Sequence, residues 1–97
     1  MLYYDLLFKE AKKIKDKQVE AFTMAAFHEA DEEFWLAPAS STGKNHPFED
    51  NGEGGLVRHI VKAVAVAEQF AKREDFSQYE LDLALSATLL HDIKKNG

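Results

Sequence analysis

Two histidines and one aspartate carry the strongest chemical signal in the sequence. His59 falls on the apolar side of a helical pattern over residues 56–73, and His91 and Asp92 close the next helical pattern. Two imidazoles and a carboxylate form an N, N, O ligand set for a divalent ion. The alternative is that each histidine makes a hydrogen bond in the core while Asp92 pairs on the surface with Lys95. Spacing alone leaves both interpretations open.

The predicted helices would favour a cation near these side chains. His59 lies in the first turns of its helix, where the helix dipole disfavours added positive charge and keeps the imidazole neutral. The carboxyl end of the next helix, at His91 and Asp92, attracts a cation. Adjacent helical residues diverge by about 100°, so an ion that touches both must lie between their directions, near a crossing helix. We expect His59 to complete such a site.

The remaining elements also have helical patterns. Apolar residues recur every three or four positions over residues 2–14, and again after Asp16, which we expect to cap a helix reaching Ala30. The last helix begins at Ser77, with Glu80 completing a capping box. No run of alternating β-branched residues remains, so the sequence predicts an all-α fold.

Length and composition limit what the protein can be. Its 97 residues allow one domain, residues 1–97, and the absence of cysteine excludes thiolate ligands and thiol redox chemistry. Twelve Lys and Arg against seventeen Asp and Glu give a net charge of −5, which disfavours nucleic acid as a partner. No apolar stretch suits a membrane span or a signal peptide. We therefore expect a cytoplasmic protein without a membrane partner.

The last predicted helix has apolar residues around almost its whole circumference. Such a helix must be covered on more than one side. We expect either further C-terminal helices absent from this chain or a partner subunit, for example a homo-oligomer covering residues 77–95. The apolar residues are Leu81, Leu83, Ala84, Leu85, Ala87, Leu89 and Leu90.

Residues 37–95 resemble the HD-domain superfamily of metal-dependent phosphohydrolases. His59 matches the family's first histidine, His91 and Asp92 match the pair that names it, and Lys95 matches its usual trailing lysine. The resemblance implies an HD-domain-like helical bundle, or the N-terminal half of one. It rests on Gly54-Gly55-Leu56-Val57-Arg58-His59, Leu81-Asp82-Leu83-Ala84-Leu85 and Ala87-Thr88-Leu89-Leu90-His91-Asp92-Ile93-Lys94-Lys95.

Two departures from the family pattern concern the site. Lys94 stands where the family commonly has glycine, which alters a helix end without removing a ligand. No acidic residue follows Asp92, so the family's last metal-binding aspartate is absent. The site is then incomplete, completed by another chain, or finished in a longer protein. Asp50 and Glu53 are candidate substitutes or ordinary solvated acids.

The resemblance implies hydrolysis of a small phosphate ester or anhydride, nucleotide-like or otherwise. A divalent ion (Mn, Fe, Ni, Mg or Zn) held by the three ligands would activate water and polarise a phosphoryl oxygen. Lys44, His46 and Lys95 are candidate phosphate contacts in the reaction, and His46 is also a candidate extra ligand. Otherwise the two lysines are solvated and His46 only shapes the turn before Pro47. Lys44 and His46 belong to a long predicted loop, residues 37–55, and long loops are often functional.

Other functions remain open at this point. A helical interaction module with a degenerate HD site would keep the scaffold without catalysis, and nuclease activity is a third alternative because related domains include nucleases. Trp35 is a candidate nucleobase contact, although an aromatic residue in such a cluster is more often core. His28 lies in an acidic segment that would attract a cation or simply be solvated.

Overall fold

The computed structural model of the protein describes residues 3–37 and 52–93, and the regular secondary structure in these ranges is all helical. The predicted all-α fold class is confirmed. No helix in these two ranges is both long and apolar enough to cross a bilayer. The helices are α1 (Tyr3–Ala11), α2 (Lys17–Glu29), α3 (Glu32–Leu36), α4 (Gly55–Arg73) and α5 (Gln78–Leu90).

Two helix starts follow directly from local sequence. The Asp16 side chain accepts hydrogen bonds from the backbone N–H of Gln18 and Val19, at 3.0 and 2.9 Å, and so caps α2. At α5, the Ser77 hydroxyl accepts from the Glu80 N–H at 3.1 Å while the Glu80 carboxylate accepts from the Ser77 N–H at 2.8 Å. Both predicted caps are confirmed.

Helix ends were predicted less well than helix starts. The first helix ends at Ala11, and Ile14 is buried by a turn in which its N–H donates to the Ala11 carbonyl at 3.0 Å. The second helix ends at Glu29 because Ala30 takes an extended conformation. A short helix that was not predicted, α3, follows with Asp31 at its N-cap position.

All five helices contribute to one hydrophobic core. Trp35 packs at its edge, with its ring against those of Phe8, Phe27 and Phe34, so its aromatic neighbours support the core interpretation. The apolar residues at the centre are Leu7, Phe27, Phe34, Leu56, Ile60, Val64, Leu85 and Leu89. Burial of these side chains is the main force holding the bundle together.

A buried carboxylate joins the start of α2 to α5. Asp82 is only 1% exposed and accepts hydrogen bonds from the backbone N–H of Lys15 at 3.1 Å and of Asp16 at 2.8 Å. The Gln78 side-chain amide donates a third, at 2.9 Å. Backbone N–H groups between two helices are thus satisfied by one acid from a third element.

Helix α5 is parallel to α2 and antiparallel to α4. Its start meets the start of α2 through Asp82, and farther along the Ser86 hydroxyl lies 2.6 Å from that of buried Thr23. Residues 74–77 join α4 to α5, and so short a connection between packed helices makes them antiparallel. The end of α5 therefore returns toward the first half of α4.

The start of α4 depends on glycine and on backbone pairing. Gly54 has φ +76°, a left-handed conformation, and a Cβ there would overlap the ring of Tyr3. Its N–H donates to the Leu36 carbonyl at 3.0 Å, and the Leu56 N–H donates to the Ala37 carbonyl at 2.8 Å. The residues on either side of segment 38–51 are thus held together.

Candidate metal centre

The structure brings His91 and Asp92 together directly beyond α5. The helix ends at Leu90, and the Ile93 N–H donates to the Leu90 carbonyl at 3.1 Å in a tight final turn. In this turn the His91 Nε2 lies 3.0 Å from Asp92 Oδ2. The side chains of these two neighbouring residues are thus in contact.

The other nitrogen of His91 is held by the helix itself. Its Nδ1 hydrogen-bonds with the carbonyl oxygen of Thr88, one of the carbonyls that a helix end leaves without an intrahelical partner. A carbonyl only accepts, so Nδ1 carries a proton, and the neutral ring then has its lone pair on Nε2, facing Asp92. A contact of 3.0 Å between Nε2 and Oδ2 fits a hydrogen bond, with one proton between the two atoms, or a cation bound by both.

The spacing of the two atoms fits adjacent ligands of one ion. Metal–nitrogen and metal–oxygen bonds of about 2.1 Å at right angles place neighbouring ligand atoms about 3.0 Å apart. The His91 Nε2 and Asp92 Oδ2 have this separation. Hydrogen bonding of Nδ1 to a backbone carbonyl is also the usual way in which a metal-binding histidine is oriented.

The pair is accessible and lies in a favourable field. The His91 side chain is 45% exposed and that of Asp92 is 18% exposed, so an ion or a substrate would reach them from solvent. The carboxyl end of α5 adds partial negative charge at this position. Both features suit cation binding, and they suit an ion pair with a protonated His91 equally well.

His59 is placed by α4 rather than by α5. It is half-buried in the second turn of α4. Because α4 and α5 are antiparallel and joined by a short connection, a residue about thirteen positions after the start of α5 lies level with one about thirteen positions before the end of α4. The first position is close to His91, and the second is close to His59. Within residues 3–37 and 52–93, however, no three His, Asp or Glu side chains are grouped so that they could hold a metal ion. The structure therefore brings together two of the three predicted ligands.

Several predicted site residues lie outside the described part of the chain. They are Lys44, His46, Asp50, Lys94 and Lys95. Glu53, a candidate substitute ligand, is exposed and accepts a hydrogen bond from the Tyr3 hydroxyl at 3.3 Å. This side-chain hydrogen bond of Glu53 is thus to α1.

One functional contact was missed by the sequence reasoning. Thr88 orients His91 through its backbone, and its side chain bonds to the Ala84 carbonyl at 2.8 Å. The position of Thr88 in the sequence was the signal for this contact. The residue three positions before a histidine at a helix end has a backbone carbonyl without an intrahelical partner. His28 stacks instead on Phe8, with ring centroids 5.5 Å apart.

Comparison of the chain with models of protein families, with curated proteins and with solved structures found no match.

Proposed function

We propose that this protein is a metal-dependent phosphohydrolase of the HD type, which acts in the cytoplasm on a nucleotide-like or other small phosphate ester. His91, Asp92 and His59 are the proposed ligands of a divalent ion. The observation that supports the proposal most is the His91–Asp92 pair, with Nε2 and Oδ2 3.0 Å apart and Nδ1 held by the Thr88 carbonyl.

The bound ion would supply water activation and charge stabilisation at phosphorus. Among the chain's own groups, His91 presents a lone pair fixed in direction by Thr88, and Asp92 offers a carboxylate in the neighbouring position. His59 would complete the set from the facing helix, because the antiparallel arrangement puts it at the same level. That role needs its side chain to move toward the pair.

The proposed phosphate contacts belong to two parts of the sequence that adjoin the described fold. Segment 38–51, which contains Lys44 and His46, leaves and rejoins the described fold beside the start of α4. Lys95 follows Asp92 by three residues. Cationic groups there would bind the phosphate of a substrate and stabilise charge on the transferring group.

Metal content tests the proposal. The protein is purified without chelator, its bound Mn, Fe, Ni, Zn and Mg are measured by mass spectrometry, and hydrolysis of p-nitrophenyl phosphate and bis-p-nitrophenyl phosphate is assayed with each ion. We expect stoichiometric metal and metal-dependent turnover, both reduced at least tenfold in His91→Ala.

The matched control is His28→Ala, which removes another exposed histidine, one that lies against Phe8 of α1, and leaves metal content and turnover unchanged. Absence of both metal and turnover in the wild-type protein would refute the enzyme proposal. Hydrolysis of the diester but not the monoester would redirect it to a phosphodiesterase or nuclease.

A non-catalytic helical interaction module is the second candidate. It is favoured by the observation that only two of the predicted ligands meet among the described residues. In that case His91 and Asp92 form an ion pair that ends α5, and His91→Ala changes neither metal content nor turnover. The same measurements therefore decide between the two functions.

A further inference from the structure

An apolar groove runs between α2 and α5, and its lining includes Leu90, the residue before His91. It has a volume of about 480 Å³, and its walls include Val19 and Phe22 of α2 and Leu83, Ala87 and Leu90 of α5. Three large apolar side chains at the groove are unusually open to solvent: Phe22 at 59%, Tyr79 at 55% and Leu83 at 45%. Helix α5, which was predicted to need packing partners on several sides, is thus exposed to solvent along this groove.

The exposed area distinguishes between kinds of partner. Aromatic side chains bury 150–250 Å² each, so Phe22, Tyr79 and Leu83 together expose on the order of 300 Å² of apolar surface. A stable dimer of folded proteins buries about 800 Å² on each partner. The patch is therefore small for a second copy of this chain, and it matches the apolar stripe of one amphipathic helix laid between two parallel helices.

The charges around the groove differ between its two ends. At the start of α2, Asp16 lines the groove with its side chain engaged in capping the helix, and exposed Lys15 and Lys17 flank it in the sequence. Toward the carboxyl ends of α2 and α5, Glu29 and Asp31 line a second recess of about 110 Å³ together with Ile93. The two helix dipoles add negative charge at that end because α2 and α5 run in the same direction.

We propose that the groove between α2 and α5 binds an amphipathic helix of a partner protein, with the basic last turn of that helix beside Glu29 and Asp31. Its apolar stripe covers Phe22, Tyr79 and Leu83, and acidic residues in its first turn meet Lys15 and Lys17. This arrangement pairs opposite charges at both ends and suits the charge preferences of an isolated helix. The acidic end adjoins the turn that contains His91 and Asp92, but the proposed contacts use neither of these residues and need no metal ion.

The experiment uses a fluorescein-labelled 16-residue designed helix as the probe, with leucines on one stripe, glutamates in the first turn and lysines in the last. Its binding to the whole chain is followed by fluorescence anisotropy. We expect saturable binding that weakens at least tenfold in Phe22→Ala, and no change beyond twofold in Val66→Ala. Val66 is 66% exposed on α4 and lies outside the groove lining. Val66→Ala therefore removes exposed apolar surface elsewhere on the protein and is the matched control.

The charge requirement is tested separately at low salt. Neutralising the acidic end with Glu29→Gln and Asp31→Asn is expected to weaken binding at least threefold, whereas Glu74→Gln, at the C-cap of α4, leaves it unchanged. Circular dichroism and thermal melting check that each variant is folded.

Three results would overturn the proposal. They are absence of saturation up to millimolar protein, equal binding of a probe with the same composition but scrambled order, and concentration-dependent dimerisation that Phe22→Ala abolishes. The last result would show that the groove is occupied by a second copy of this chain.

Discussion

Replacement of Asp82 by asparagine should be among the most destabilising single changes in this protein. The carboxylate is 1% exposed and accepts three hydrogen bonds, from the backbone of Lys15 and Asp16 and from the amide of Gln78. Asparagine has one acceptor oxygen, and its NH₂ group would face a donor. At least one charge-assisted bond, worth about 1.5–3 kcal/mol, is lost and a buried N–H is left unsatisfied.

The expected loss in the free energy of unfolding is about 3 kcal/mol, against a total of roughly 5–15 kcal/mol for a domain of this size. The midpoint of thermal unfolding should fall by on the order of 15 °C. Urea denaturation at pH 7, followed by circular dichroism, measures the difference between wild type and Asp82→Asn. Asp5→Asn is the control, because Asp5 is exposed in the first turn of α1 and its neutralisation costs only about 0.5 kcal/mol.

The pH dependence of this difference tests the cause. Burial alone raises the pKa of the Asp82 carboxyl, but the hydrogen bonds from Lys15, Asp16 and Gln78, with the charge of Lys15, hold the pKa below its ordinary value of 3.8. A pKa that is lower in the folded state stabilises the fold above the unfolded-state value, and this contribution is lost as the pH falls through the folded-state value.

The amount by which the free energy of unfolding of the wild type exceeds that of Asp82→Asn should therefore be constant above about pH 5 and shrink below pH 3.8. Other acids titrate in both proteins and cancel in the comparison. An advantage under about 1 kcal/mol at pH 7, or one that persists undiminished to pH 2.5, would refute the assignment of Asp82 as a charged clamp.

Two further changes test the helix starts. Gly54→Ala should lower the free energy of unfolding by about 2 kcal/mol, because it combines a left-handed backbone with overlap on Tyr3, whereas Gly52→Ala, with nothing within 4 Å of the added Cβ, should change it by less than about 0.5 kcal/mol in the same urea titration. Equal effects of the two would contradict the steric argument. Ser77→Ala should cost about 1 kcal/mol by removing the cap of α5, and an unchanged melting temperature would show that the cap contributes little.

Local signals predicted the helix starts but not where side chains end up in the bundle. The caps at Asp16 and Ser77 depend on residues three positions away, so the sequence contains the whole interaction. Phe22 and Phe70 lie at positions that fit the apolar periodicity of their helices, yet they are 59% and 48% exposed. Periodicity identifies an apolar face, but the neighbouring helices determine how much of that face is covered.

The role of Asp82 was not predicted, because its partners are some 66 residues away in sequence. A single acid within the otherwise apolar run of the last helix was the available signal, since a charge at such a position requires compensation. The candidate metal site stays a prediction. His91 and Asp92 are in contact in the turn that follows Leu90, where α5 ends, a boundary that helical periodicity does not specify.

The backbone hydrogen bonds of Leu36 and Ala37 to Gly54 and Leu56 have a consequence for how the chain tolerates change. They form a stem that holds together the described residues on either side of segment 38–51. Lengthening a closed loop is cheap, about 0.6 kcal/mol for each doubling. Insertions and deletions between residues 37 and 52 should therefore cost little stability as long as these backbone hydrogen bonds can form, which makes this a natural place for specificity to diverge.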